Sequence, residues 1–204
     1  MMSKTFASQC KKVLTDEKLI EMIRAENYDL AVTEPFDSCA YEFFEAIGIR
    51  AHVAALSTGR MDHVSDAIGQ PAALSYNPGV FSTHGEQMTM SQRLRNAFQY
   101  FAGAYFFGYI GDADAQVAKD INPTWRSWRQ VLPEASYVFT NQIPLLDFTA
   151  PTFTKIVPIG GLSVTTDKKS LKLEEKWSKI LDIRKKNVFI SFGSNVRSMD
   201  MPAE

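Results

Sequence analysis

The stretch Tyr28 to Ile49, YDLAVTEPFDSCAYEFFEAIGI, constrains the fold more than any other in this chain. Tyr28 to Thr33 is a short apolar run after a polar turn, the pattern of a buried strand covered on both faces. Pro35 cannot continue a ladder, so the strand ends at Glu34-Pro35-Phe36-Asp37, where Asp37 or Ser38 can accept hydrogen bonds from the free N–H groups of a following helix. Ala40, Phe43, Phe44 and Ile47 recur at helical spacing, Gly48 supplies a left-handed stop, and Arg50 to Leu56 reads as a second strand. Strand, acidic loop, helix and strand together form the unit of an open α/β sheet. In such a sheet, ligands and catalytic groups gather in the loops that leave the carboxyl ends of strands. Glu34 and Asp37 stand in that loop. On pattern alone the plainer reading is that Asp37 caps a helix and Glu34 is a solvated acid; the functional reading makes them catalytic carboxylates.

The rest of the chain supplies more of the same architecture. Phe6, Cys10, Val13 and Leu14 share one helical face, and Leu19, Ile20 and Ile23 share another after a capping Thr15-Asp16. Ser57 to Gln87 turns to Ser, Thr, Gly, Pro, Asn and His, a loop of about thirty residues without structure of its own, a length that marks functional loops. Met88 to Ala118 is the longest helical pattern and is rich in aromatics. It reads as a helix packed on the sheet, with Gly103 and Gly108 allowing close approach; the alternatives are a lining for apolar ligands or a face on a membrane surface. Trp125 and Trp128 read as packing anchors, and Ser136 to Asn141 and Lys155 to Ile159 as further strands. Thr165 to Lys186 has the spacing of one Lys-rich amphipathic connector helix, and Val188 to Phe192 that of a strand.

Several function classes are excluded by composition. The 204 residues carry 22 basic and 23 acidic side chains, a net charge of −1, which argues against a nucleic-acid partner or a polybasic membrane contact. Cys10 and Cys39 lie on apolar helical faces with no C-x-x-C pair, so buried thiols are expected. His52, His63 and His84 have no zinc-type spacing, and no metal site is expected. The amino terminus lacks the apolar core of a signal peptide, and no run is long enough to span a membrane.

Three segments carry a resemblance to a known family. Cys10-Lys11-Lys12-Val13-Leu14, Tyr28-Asp29-Leu30 and Cys39 with its helix to Gly48-Ile49 resemble the matching region of the UDP-glucuronosyltransferases, within the UDP-glycosyltransferase superfamily. Ile159-Gly160-Gly161-Leu162 resembles the family's V-G-G-L at the end of its first domain, and Val188 to Ser194 its V-F-S-L-G-S strand and turn. The resemblance implies an α/β fold with a Rossmann-like parallel sheet and flanking helices, the amino-terminal half of a two-lobed GT-B type glycosyltransferase. It places an acceptor-binding domain over 1–162, a connector helix over 163–186, and the start of a UDP-sugar-binding domain over 187–204.

The implied reaction is inverting transfer of a sugar, glucuronate or glucose, from a UDP-sugar co-substrate to a small lipophilic acceptor, with no further cofactor. A histidine base after the family's first strand takes the acceptor's proton, and a carboxylate after a later strand orients it. Alignment without a gap puts that carboxylate at Glu34, with Asp37 as competitor. The region Ser57 to Gln87 corresponds to part of the acceptor pocket. Gly193 and Ser194 correspond to a turn at which backbone N–H groups approach the donor's phosphates. None of the three histidines stands at the base's position, and the donor domain's W-x-P-Q and H-x-G segments do not occur. The expectation is therefore a truncated product or fragment, inactive alone, from a family resident on the lumenal side of the endoplasmic reticulum membrane. The alternative is a non-catalytic partner that pairs with full-length relatives, as a homo- or hetero-oligomer.

Overall fold

Three residues, Ala31–Thr33, form β1 before Pro35 stops it, and they pair in parallel with β2 (His52–Leu56) in the register Ala31 opposite His52. β2 pairs in parallel with β3 (Tyr137–Thr140), and β3 with β4 (Ile156–Pro158), giving the sheet order β1-β2-β3-β4. The computed structural model describes residues 2–167, 172–191 and 199, which fall into two compact units dividing after Leu162. The parallel sheet with flanking helices belongs to the first unit and matches the Rossmann-like α/β expectation.

Helices flank the sheet in two tiers. α1 (Met2–Leu14) and α2 (Glu17–Ala25) precede β1; Asp16 caps α2 by accepting the Leu19 N–H at 3.0 Å, as the Thr15-Asp16 pair predicts. α3 (Cys39–Ile47) joins β1 to β2 and ends at Gly48, whose φ of 81° is the left-handed stop. The β2 to β3 crossover carries α4 (Asp62–Ala67), α5 (Met90–Ile121) and α6 (Trp128–Val131). The main core lies between sheet and helices: Tyr41 and Phe44 of α3, Ala54 and Leu56 of β2, Met61 and Val64, Trp128 and Val131, Leu132 and Val138. Full burial of side chains this size is worth about 2 kcal/mol each. A smaller core of Cys10, Leu14, Ile20, Ala46 and Ala118 seals α1, α2, α3 and α5 together.

Several sequence expectations are corrected. β1 is an edge of this sheet, with Val32 62% exposed, and is not covered on both faces. The stretch Ser57 to Gln87 contains α4, whose Asp62, His63 and Ser65 are buried and polar, so no apolar period announced it. α5 packs principally on α1, α3, α4 and α6, not on the strands. Its buried face mixes Tyr100 and Ile110 with small or polar residues (Asn96, Gly103, Gly111, Asp114, Ala118), while Leu94, Phe98, Phe101, Tyr105 and Tyr109 are exposed, Tyr105 by 76%. Thr89 and Gln92 form a capping box at its start.

In the second unit, the helix expected over Thr165 to Lys186 is represented among the described residues by α7 (Glu175–Leu181), none of whose residues is buried. Short helices are marginal without the burial of an apolar face. Residues 188–191 form no strand, and the sheet is built of β1 to β4 alone among the described residues. Phe192, Gly193 and Ser194 lie outside the described residues.

Asn96 ties the long loop to α5. Its Oδ1 accepts the Gly79 N–H at 2.8 Å, and its Nδ2 donates to the carbonyls of Leu74 at 2.8 Å and Asn77 at 2.9 Å. Asn96→Leu would leave these backbone groups unpaired in a site with no water access, and is expected to cost about 3 kcal/mol, read as a lower denaturant midpoint at unchanged m-value.

Candidate active site

The carboxyl ends of the strands line up along one edge of the first unit. Glu34 follows β1, and its Oε1 accepts the Ser57 N–H at 3.1 Å and the Ser57 hydroxyl, the first residue after β2. Asn141, after β3, donates from Nδ2 to the Ser57 carbonyl and from its backbone N–H to the Thr58 carbonyl, both at 2.9 Å. Glu34 is thereby braced through Ser57 to Asn141 while remaining solvent-exposed. Further along the same edge, Thr140, Gln142, Phe148, Ile156 and Pro158 line a groove of about 200 Å³.

The acidic loop is also held from below. His63 Nε2–H donates to the Pro35 carbonyl at 3.1 Å, and the Phe36 ring sits 6.3 Å from Phe6 and 5.8 Å from Phe107. Asp37 Oδ1 accepts the Cys39 N–H at 3.0 Å, so Asp37 is the local cap that the pattern suggested. Ser38 Oγ–H donates to Asp114 Oδ2 of α5 at 3.0 Å. Cys39 is bonded to Cys10 of α1, which corrects the expectation of two buried thiols. The pairing was invisible in sequence because it depends on where α1 crosses α3; that crossing leaves the two Cα atoms 5.5 Å apart.

Three acids meet beneath the loop. Glu42 is fully buried, and burial pushes its carboxyl up to about 8 although the Trp128 N–H donates to Oε1 at 2.7 Å. Burial, with the neighbouring Asp37 carboxyl second, pushes Asp114 up to about 7. Such environments favour neutral carboxyl groups. Gly111, one turn before Asp114, lets α5 come this near: a Cβ there would stand 2.7 Å from Trp128 Nε1 and 2.9 Å from Ser38 Oγ. Sequence had pointed to Gly103 and Gly108 for close approach. Gly108 does face Arg129, but Gly111 and Asp114 are the positions that reach the loop.

An aromatic wall adjoins the acids. Phe81, from the long loop, stacks on Phe107 at 6.0 Å with planes 4° apart, Phe107 meets Phe36, and both Phe36 and Phe81 remain about half exposed. His63 stacks on the same Phe107 at 5.2 Å; burial lowers its pKa, and its Nδ1 has no partner and no solvent contact. His63 is thus a prop for the loop and cannot reach a substrate. His52 is buried at the opposite end of β2, between Tyr41 and Phe44. No cluster able to hold a metal occurs among the described residues.

The profile of the family described as UDP-glucoronosyl and UDP-glucosyl transferase matches residues 1–203. The chain belongs to that family. It is 26% identical over 198 residues to a putative UDP-glucuronosyltransferase of Caenorhabditis elegans, ugt-55, covering 97% of this chain and 37% of the relative. A second C. elegans relative, the putative UDP-glucuronosyltransferase ugt-56, is 26% identical over 201 residues, 95% of this chain and 36% of its own length. UDP-glucuronosyltransferase 1A8 of Homo sapiens is 23% identical over 158 residues, 78% of this chain and 30% of its own length. No solved structure matches. The chain spans about a third of the length of these relatives. In UDP-glycosyltransferase terms, the described edge is one carrying an acid after β1, and no helix among the described residues is long and apolar enough to cross a membrane.

The Cys10–Cys39 bond closes a segment of 29 residues directly at the acidic loop. Cys10→Ser is expected to lower stability by about 3 kcal/mol through the freed unfolded chain, and dithiothreitol should lower the melting temperature of the wild type but not of the variant.

Proposed function

We propose that this chain forms the acceptor-side half of a UDP-sugar-dependent glycosyltransferase of GT-B type, in which Glu34 orients and charges a histidine base. The observation that carries this reading is the unequal placement of the two loop acids. Glu34 is exposed at the carboxyl edge, held by Ser57, while Asp37 is turned toward Cys39 N–H and Asp114 beneath the loop. An acceptor hydroxyl is a poor nucleophile at neutral pH, so a base must remove its proton as it attacks the anomeric carbon. A carboxylate bonded to the far nitrogen of that imidazole fixes its tautomer and stabilises the imidazolium. Glutamate reaches one methylene further than the aspartate found at this place in the family, and its Ser57 bonds keep the longer side chain in one position. In this reading the base is the histidine that the family carries after its first strand.

The acceptor in this reading is small and lipophilic, lying against Phe36 and Phe81, whose exposed rings border the acids. The donor is UDP-glucuronate or UDP-glucose, with Gly193 and Ser194 near its phosphates and the units 163–186 and 187–204 acting as connector and start of the donor domain. The disulfide supports an oxidising compartment such as the lumen of the endoplasmic reticulum, since such bonds are rare in reducing cytosol.

The test grafts this chain in place of the corresponding residues of ugt-55 and follows transfer from UDP-glucuronate to 4-nitrophenol. Glu34→Gln is expected to lower kcat by about 10³-fold, and Asp37→Asn to have a much smaller effect; an active Glu34→Gln chimera would sink the assignment. The 204-residue chain alone should form no conjugate. A second reading, a non-catalytic partner of longer family members, is favoured by the exposed row Leu94, Phe98, Phe101, Tyr105 and Tyr109. Under that reading Phe98→Glu should abolish co-purification with a full-length relative.

A further inference from the structure

Asp114 is the acid that neither the family resemblance nor the strand edge accounts for. It is completely buried toward the carboxy-terminal end of α5, 76 residues from the loop residue it touches. One oxygen, Oδ2, accepts the Ser38 hydroxyl; the other, Oδ1, has no donor among the described residues and no contact with solvent. The loop that Asp114 meets at Ser38 also carries the neighbouring Asp37 carboxyl, whose own Oδ1 is taken by the Cys39 N–H. Two ionised carboxylates are acceptors only, so a contact between them is repulsive and unbonded, whereas one proton between them makes it a strong hydrogen bond. The surroundings offer no cation to replace that proton. Glu42 of α3 is a third acid, the nearby Arg129 of α6 is paired with Asp112, His63 of α4 bonds Pro35, and Lys4, Lys11 and Lys12 of α1 are exposed to solvent.

We propose that Asp114 and Asp37 share a single proton, and that Asp114 in its protonated form is the positioning residue that seats the loop carrying Glu34. Asp114 Oδ1–H donates to the Asp37 carboxylate, and Asp37 in turn holds the Cys39 N–H and the start of α3. When the proton leaves to solvent, past the half-buried Asp37, two like charges face each other under the loop and the seat opens. The burial that raises Asp114 to about 7 fits this assignment and sets its direction with pH. An acid that binds its proton more tightly folded than unfolded loses stability as pH rises from the ordinary carboxyl range, near ~4, to its folded midpoint. This inference rests on Glu34 being the functional acid of the loop, but its test does not depend on catalysis.

The experiment is a carboxyl ¹³C NMR titration of the 204-residue chain, with Asp114 assigned by comparison with Asp114→Asn. A midpoint above about pH 6 is expected, and one below it, nearer the ordinary aspartate value, overturns the shared proton. Asp37→Asn supplies an amide donor to Asp114 and should lower the midpoint; an unchanged midpoint also overturns it. The positioning role is read from amide exchange corrected for intrinsic rates. Protection of Cys39 N–H should fall about tenfold between pH 6 and 8.5 in the wild type and persist in Asp114→Asn, whose amide mimics the protonated acid. Equal behaviour of the two proteins overturns that role. Should Asp114→Asn fail to fold, Asp37→Asn alone decides the first question, and wild-type exchange decides the second: Cys39 protection unchanged across this pH range overturns the role. Because no sugar transfer is measured, failure here leaves the Glu34 assignment standing, and an active Glu34→Gln chimera leaves the proton bridge standing.

Discussion

The first unit depends on the way one six-residue loop is clamped. From Glu34 to Cys39, every residue except Asp37, which holds the Cys39 N–H, has a partner outside the loop: Ser57, His63, Phe107, Asp114 and Cys10. Those partners come from the end of β2, α4, α5 and α1, so the loop is the point at which the sheet and both helical tiers meet. A loop with its own hydrogen bonds to water would wander. This one is over-determined by contacts of several kinds, covalent, polar and aromatic, and that is the physical basis for treating its exposed acid as preorganised.

How far the fold could be read in advance follows from the range of each signal. Pro35, the apolar period of α3 and the glycine at its end are local, and they located β1, α3 and β2 correctly. The α5 helix was found for the same reason, through the length of its helical pattern. What failed was whatever needed a distant partner. Cys10 and Cys39 were read singly, since nothing in their spacing says that two helices cross. Asp114 sits in Gly-Asp-Ala-Asp and looks like a solvated acid; its burial comes from Gly111 allowing Trp128 and Ser38 against the helix. α4 escaped because polar side chains line its buried face. Apolar spacing overran in the other direction at Thr165 to Lys186, where the pattern exists without a surface to receive it.

The candidate site was legible in part. Position in an α/β unit put Glu34 and Asp37 forward as candidates and alignment with the family favoured Glu34, although a cap and a catalytic acid occupy the same place in a strand-to-helix turn. Partners separate them: one carboxyl is bonded to a neighbouring strand end at the surface, the other faces a buried acid. His63 had neither a metal-ligand spacing nor the base's position in sequence, and its stacked, enclosed ring and its bond to the Pro35 carbonyl give it a mechanical part.

α5 carries a consequence of a different kind. It leaves a row of large apolar side chains outward, while Asn96, Asp114 and several glycines share its buried face with Tyr100 and Ile110, so it lacks the single apolar stripe of an ordinary amphipathic helix. Its rotation about its own axis is therefore set by steric fit and by two polar anchors, Asn96 near one end and Asp114 toward the other, as much as by apolar burial. Loosen both anchors and the outward rings would compete with the inward ones for shelter, leaving the acidic turn without its support.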